Sequence, residues 1–408
     1  MKRLSRETVL LAFCALAARG AAPAPGFYVW QREAAPAVLD AARAAAGEGR
    51  ELFALAGEFD AAPGGALRDL APGLCPPFDF GSGDASLPPA TAVFRVRLGA
   101  LAAPAPAGAA LAARAAALGA TRLQLDVDAP ERRLGDYAAL VRAVRAGLPE
   151  GAALSATLLP CHFAHPDGVR DVLAAADYGV LQLHGIDPPG ALSDGWRLMD
   201  PATVRTALRR ARALGAPLRV SLPAYAYVLT FAPDGAFRRL YAEGFPGRAC
   251  LPAGTLCRLA APDAALLAEL LADPALPPAI WFRLPVPGAD RWCLDRATLS
   301  ELEAGRVPAP CVALDAEPLP AGNGFRLFAT FRHAIPLDPV AVPLRWRDEA
   351  RAGEWMSFGG CAAGAPAGRL PESVTLAPHA CGERFLAAVV LTDNGLSPDP
   401  QTHPLPEP

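Results

Sequence analysis

Eight short runs with strand character, at 27–30, 52–59, 91–98, 122–128, 154–159, 179–184, 218–223 and 279–284, alternate along the chain with stretches of helical character. The helical stretches fall at 37–46, 108–118, 134–146, 168–176, 202–214 and 264–271, with 296–304 after the eighth run. Such alternation specifies parallel strands, because a parallel neighbour is reached only through a crossover. Eight units between residues 27 and 306 fit a closed (β/α)8, TIM-like barrel better than an open sheet. Tyr137, Leu140, Val141 and Val144 show the helical spacing most clearly. The second crossover is irregular: residues 60–90 are rich in Pro and Gly, and only 65–70 has helical character.

Two segments depart from the pattern. Residues 224–258, after the seventh strand, are too long for a plain loop and carry Tyr225, Tyr227, Phe231, Phe237, Tyr241, Phe245, Cys250 and Cys257. On a barrel this insertion overhangs the C-terminal face, where active sites lie. Its aromatics serve either that face or a small core of their own. From residue 308 the helical signal fades, and 325–331, 340–346 and 385–391 read as strands between Pro/Gly turns. This predicts a small β-sandwich-like domain over 310–396, with 398–408 as a flexible tail.

Strand parity is the main functional signal, since alternate residues of a barrel strand face the interior. In the fourth strand Leu123, Leu125 and Val127 claim the outer face, which turns Gln124, Asp126 and Asp128 inward. The same rule turns in Gln182 and His184 on the sixth strand, Arg95 and Arg97 on the third, and Ser155 and Thr157 on the fifth. It also turns in Ser221 on the seventh, with Tyr225 just beyond. It groups Arg283 with Trp281 on the eighth, and Glu58 with Ala54 and Ala56 on the second. Barrel interiors are normally filled with Val, Ile and Leu, and buried charges are costly unless they pair or face water. Either Arg95 and Arg97 neutralise Asp126 and Asp128 in an internal network, or the lining forms a polar cleft for a hydroxyl-rich ligand. The carboxylates end their strand at the functional face, which favours the cleft.

Residues 1–20 read as a signal peptide: Lys2, Arg3 and Arg6, an apolar run at 9–18, then Ala18-Arg19-Gly20. The run is too short to span a bilayer, which takes about 20 residues. Cys14 loosely fits a lipoprotein site, but Phe13 before it fits poorly. A periplasmic or secreted protein with no membrane span is expected. The remaining eight cysteines form an even set, and Cys250–Cys257 and Cys361–Cys381 are the short-loop disulfides to expect. Zinc is the rival use of cysteine, but no C-x-x-C occurs. The net charge of −3 and scattered arginines argue against nucleic acid as partner. Lys2 is the sole lysine, which excludes a pyridoxal Schiff base and a phosphate-loop lysine. No Gly-rich dinucleotide fingerprint follows the first strand and no G-x-S-x-G elbow occurs, so no cofactor is expected.

The phrases Phe27-Tyr-Val-Trp-Gln-Arg32, Leu123-Gln-Leu-Asp-Val-Asp-Ala-Pro130, Leu134-Gly-Asp-Tyr137, Leu181-Gln-Leu-His184 and Ser221-Leu-Pro-Ala-Tyr225 together resemble a family of exported bacterial proteins catalogued as a domain of unknown function. The resemblance spans roughly 27–300 and implies a barrel with its site on the C-terminal face; it implies no reaction. More distantly, the fourth strand is similar to the D-x-x-D-x-D-x-E of chitinase-type glycosidases. Asp126 and Asp128 match its last two aspartates, Leu123 replaces the first, and Pro130 stands where that family has its acid Glu.

Two carboxyl groups across a glycosidic bond would make a glycoside hydrolase, at about 5–5.5 Å for retention or about 6.5–9.5 Å for inversion. Asp128 is the candidate acid, with Asp126 raising the pKa of one member of the pair. Glu58, two strands away, is its candidate partner, ahead of Glu131 and Glu33. Arg95, Arg97, Gln182, His184, Tyr225 and Arg283 would hold sugar hydroxyls, and Trp30 or Trp281 would stack on a sugar face. The competing enzymatic reading is a metal bound by Cys161, His162, His165, Asp167 and His184. The non-enzymatic reading is a carbohydrate-binding or envelope-assembly protein. The expected partner in either glycan reading is a polysaccharide or oligosaccharide.

Overall fold

The computed structural model describes residues 24–62, 67–72, 74, 77–185, 187–242, 245–287, 290–346, 353–364, 369–392 and 401–405. Eight parallel strands form its centre: β1 (Gly26–Val29), β2 (Leu52–Ala61), β3 (Thr91–Val96), β4 (Arg122–Asp126), β5 (Ala153–Leu158), β6 (Tyr178–Gln182), β7 (Leu218–Pro223) and β8 (Ala279–Phe282). Each pairs with its sequence neighbours, and β1 pairs with both β2 and β8, which closes the barrel. Closure is registered by Tyr28, which lies opposite Phe53 on one side and Phe282 on the other.

Among the described residues seven helices cover the outside: α1 (Pro36–Gly47), α2 (Pro104–Ala117), α3 (Leu134–Gly147), α4 (Pro166–Leu173), α5 (Pro201–Leu214), α6 (Ala264–Ala272) and α7 (Arg296–Glu303). Their starts are local chemistry. Proline opens α1, α2, α4 and α5, where the missing N–H costs nothing. Asp200, Asp263 and Asp295 accept from backbone N–H groups one turn on, at 2.8, 3.0 and 2.8 Å, capping α5, α6 and α7. The buried stripe Tyr137, Leu140, Val141, Val144 seats α3 on the sheet. Between β2 and β3 no helix forms among the described residues. The 65–70 stretch read as helical contains instead a short strand, Leu67–Asp69, antiparallel to the end of β2. Pairing with the overhanging end of β2 supplies the backbone bonds that a helix would otherwise provide.

A register shift between Leu55 and Gly57 breaks the β2–β3 ladder. Below it Phe53 and Leu55 face the barrel interior while Ala54 and Ala56 pack under the helices; above it Phe59 packs outward. An extra residue at a bulge reverses the inward parity, and this is how Glu58 reaches the interior. The parity shared with Ala54 and Ala56 in the sequence reading is therefore replaced by parity across a bulge.

The insertion after β7 folds as a three-stranded antiparallel sheet, with Tyr227–Phe231 between Phe237–Tyr241 and Leu256–Ala260. Leu229, Phe231 and Ala260 form its own core with Phe237 and Leu240 against it, whereas Tyr225 and Tyr227 turn to the barrel mouth. Both readings of its aromatics thus hold for different residues.

The C-terminal strands form a five-stranded antiparallel sheet in the order Glu354–Ser357, Arg384–Leu391, Gly324–Arg332, Cys311–Pro318, Gln401–Pro404, and a two-stranded sheet of Val340–Pro343 with Ser373–Leu376. The two share one core that includes Phe325, Phe331, Val342, Val374 and Phe385. Within 398–408, expected as a flexible tail, Gln401–Pro404 is an edge strand paired to Cys311–Leu314. No disulfide joins two described cysteines, which corrects the expected Cys250–Cys257 and Cys361–Cys381 bridges. Cys361 packs into the β-domain core while Cys381 faces Thr298 of α7, 3.9 Å from its hydroxyl. Cys250 sits in a helical turn and Cys257 within the insertion sheet. Residues 1–20 and Cys75 lie outside the described residues. No helix among the described residues is long and apolar enough to cross a membrane.

The bulge gives a stability test. A Cβ on Gly57 would stand 2.5 Å from the Phe59 ring, which packs edge-on against Phe94 at 5.0 Å between centroids. Gly57→Ala is expected to destabilise the fold by about 1–3 kcal/mol, read as a lower urea midpoint with unchanged slope.

Candidate functional site

The inner end of the site begins with the β4 residue Gln124. It lies 3.0 Å from the Thr157 hydroxyl, donating to it, and also bonds the Tyr28 hydroxyl. The α3 residue Tyr137 donates to the Thr157 carbonyl at 3.1 Å, which ties the helix to the β4–β5 seam directly beneath the site. Above this layer stands Asp126, the last residue of β4, to which Thr157 gives a side-chain hydrogen bond. Asp126, Tyr28, Trp30, Thr157, Gln182 and Ser221 surround a cavity with room for about one water molecule.

Asp126 is enclosed by the barrel wall yet still touches solvent through the mouth. Burial, and then the adjacent charge of Asp128, lift its pKa to about 6, against the opposing pull of Arg95 and the Thr157 bond. The sequence reading gave the acid role to Asp128; desolvation places the raised carboxyl one layer deeper.

Arg95 is the hub of the mouth. It donates to Asp128 at 3.1 Å and lies across β3 from Asp126 on one side and Glu58 on the other. Burial opposes its charge, but Asp126, Asp128 and Glu58 more than offset that and raise its pKa. Glu58, whose side chain is 6% exposed, accepts from Arg32 at 2.9 and 2.6 Å and lies 3.8 Å from Arg97. The internal network considered from sequence is therefore real for Arg95 with Asp128, while Arg97 turns to Glu58.

On the opposite wall His184 meets the Tyr225 hydroxyl through Nδ1 at 3.0 Å, and Tyr225 donates to Tyr227 at 2.8 Å. Burial drives the His184 pKa down to about 3, so the ring is neutral. Its Nε2 is buried with no hydrogen-bond partner among the described residues. Tyr227 feels both Arg95 and Asp128, which joins the two walls. Gln182 lines the cavity.

Other expected site residues stand elsewhere or serve differently. Trp281 faces outward under α7, its indole donating to Glu303 at 2.7 Å; Ile280 and Phe282 face in. The short β8 ends at Phe282, so Arg283, the polar residue from which parity is read, lies beyond it and does not report the strand's inner face. Trp30 is a wall, 7% exposed and packed on Tyr28, Phe282 and Arg95, with no open face for a sugar. Arg283 is buried and paired with Asp290, which also accepts from Gln31 at 2.7 Å and from the Val286 N–H at 3.1 Å. It braces the loop after β8. His162 spends both ring nitrogens on backbone: Leu159 N–H donates to Nδ1 at 3.1 Å, and Nε2 donates to the Ala129 carbonyl at 2.6 Å. It cannot also ligate a metal. His165 stands at the surface, 3.8 Å from Glu131.

Sequence reasoning missed Arg32, Tyr227 and Trp196. Tyr227 shares its parity with Tyr225, a signal that was available. Trp196, half-buried beside Tyr227 with ring centroids 6.3 Å apart, lies in a long loop with no periodicity to orient it.

The fold and mouth define a (β/α)8 barrel with a carboxylate–arginine site on its C-terminal face. Residues 106–287 match the model of a family described as Domain of unknown function (DUF3142), inside the span on which the resemblance rests. No curated protein matches the chain. Among solved structures the chain is similar to the chitinase of Chromobacterium violaceum, with 14% identity, a TM-score of 0.48, and coverage of 69% of this chain and 99% of that one. It is also similar to the spore cortex-lytic enzyme SleL of Bacillus cereus, with 13% identity, a TM-score of 0.47, and coverage of 69% and 75%. The GH18 chitinase ChiB of Flavobacterium johnsoniae is similar at 11% identity and a TM-score of 0.43, covering 70% and 93%.

The raised Asp126 carboxyl makes stability depend on pH. Its folded pKa of about 6 lies above the ordinary 3.8, so the advantage of the protonated form is complete below about pH 4 and is lost as pH rises through 6. The loss is on the order of 2–3 kcal/mol. Asp126→Asn, which stays neutral, is expected to unfold at a higher temperature than wild type at pH 8. At pH 4 that advantage should vanish. A pH-independent difference would place the Asp126 pKa in the ordinary range.

Proposed function

We propose that this is an exported glycan-active protein, and that its barrel mouth binds a saccharide and hydrolyses a glycosidic bond. The observation that carries the reading is Asp126: a carboxyl protonated up to about pH 6, with an Arg95-held carboxylate two residues away at the same opening. A proton donor near its operating pH beside a fixed negative charge is what glycoside cleavage requires. Asp126 gives its proton to the leaving oxygen. Asp128 faces the positive charge that develops on the sugar ring, or takes the proton of the incoming water. Water supplies the hydroxyl to the ring carbon and the proton that restores the acid, so the reaction balances. His184 Nε2, Tyr227 and Gln182 are the hydroxyl partners, and Trp196 is the aromatic one in place of Trp30 and Trp281.

A second reading, saccharide binding without cleavage, is favoured by one specific observation. Glu58 and Asp128 are both already paired with arginine, and the position of the chitinase-type acid is Pro130.

Reducing-end release from bacterial and plant polysaccharides distinguishes the two. Wild type is expected to release reducing ends best below about pH 6, with Asp126→Asn slowed by about 100-fold or more. If calorimetry shows a saccharide bound while neither protein releases reducing ends, the binding reading stands and the hydrolytic one falls.

A further inference from the structure

At the rim of the mouth two guanidiniums share one enclosed carboxylate. Of the two β2 carboxylates Asp60 lies 3.8 Å from Arg68, and Glu58 is already satisfied by a single guanidinium, Arg32, with two hydrogen bonds to Oε1. The Arg97 guanidinium approaches the other oxygen at 3.8 Å, and no hydrogen bond from it to a described residue forms. One step inward, Arg95 is matched by Asp128. Arg32, Arg95 and Arg97 thus stand against Glu58, Asp126 and Asp128, but at the rim itself two guanidiniums meet the single carboxylate of Glu58, with Arg97 the loosely held member.

Exposure separates the structural part of this cluster from the rest. Glu58 is enclosed, whereas the side chains of Arg32 and Arg97 are 52% and 50% exposed. A buried carboxylate needs a partner, and Arg32 meets that need. Two guanidiniums converging on one carboxylate, with their outer edges in solvent, form a preorganised pair of forks for a second, external carboxylate. Such a ligand group would lose little hydration at a half-open rim and would give the Arg97 guanidinium a hydrogen-bonded partner.

We infer that the saccharide bound at this mouth carries a carboxylate, and that Arg97 with Arg32 reads it. The inference rests on the glycan-binding reading above and narrows it to acidic sugars of the uronate type. Arg32 and Arg97 select the ligand; Asp126 and Asp128 lie deeper and face the bond.

The test uses the full chain on an array of uronate-bearing oligosaccharides, each printed beside its carboxyl-reduced, neutral counterpart. Uronate members are expected to bind at least about tenfold tighter than their reduced counterparts at low salt, with the gap closing as salt rises. Arg97→Gln is expected to bring that ratio close to one, and Arg97→Lys, which keeps the charge without the fork, to leave it in between. Arg32→Gln serves as the second variant, with thermal unfolding confirming that each variant is folded. Equal binding of acidic and reduced members would overturn the acidic-ligand inference and leave the glycan reading standing. Binding of no member would overturn both.

Discussion

A carboxyl group set inside a parallel barrel has two ways to persist: it stays protonated, or it faces a cation held equally deep. This barrel uses both within a few ångströms. Arg95, whose neighbours across the sheet are Glu58 and Asp126, is the cation on which the polar interior depends. It donates a hydrogen bond to Asp128, and the deeper Asp126 answers burial by holding its proton to about pH 6. Without Arg95 three carboxyl groups would converge on one opening with only the rim arginines to oppose them. Removal of one partner from such a cluster is expected to cost more than the pair contributes.

The supporting shell explains why these residues stay in place. Thr157 is shared between Gln124 and Asp126, and Tyr137 reaches through the sheet to the Leu125 and Thr157 carbonyls. The helix stripe legible in the sequence therefore does more than cover the barrel: its first aromatic pins the ends of β4 and β5. On the far wall the His184–Tyr225–Tyr227 chain is held between β6 and the insertion. The insertion sheet carries a small core of its own, closed by Leu192 and Trp196 of the loop after β6, and Val228 joins it to the barrel core, so Tyr227 is presented from a seat shared with the barrel.

How much of this the sequence held depends on how sharply each strand separates polar from apolar residues. In β4 the separation is complete, and Gln124, Asp126 and Asp128 stand inward as the alternation requires. In β8 the only polar guide, Arg283, lies past the strand's end at Phe282, so its parity misplaces Trp281. Glu58 was placed inside by a parity that a bulge cancels and then reverses, a local irregularity with Gly57 as its only trace. The expected disulfides failed for a different reason: short sequence separation says nothing of direction, and Cys361 packs into the β-domain core while Cys381 faces Thr298 of α7. Loop residues such as Arg32 and Trp196 follow no period, so only tertiary structure brings them to the mouth.

The distribution of arginine across the site has a functional logic that carboxylate geometry alone does not supply. Arg283 and Arg95 are turned inward and matched, and they hold the frame. Arg32 and Arg97 are turned outward, and between them they share one carboxylate. A frame needs neutral pairs, because an unmatched buried charge destabilises it. A binding rim tolerates a surplus, because water screens it until a ligand arrives. The step from matched to unmatched arginines along the barrel axis therefore marks where the scaffold ends and the ligand-facing surface begins. On the acidic-saccharide reading proposed above, it would also orient the ligand, acidic group toward β2 and β3, with the rest of the saccharide crossing Asp128 toward Tyr227 and Trp196.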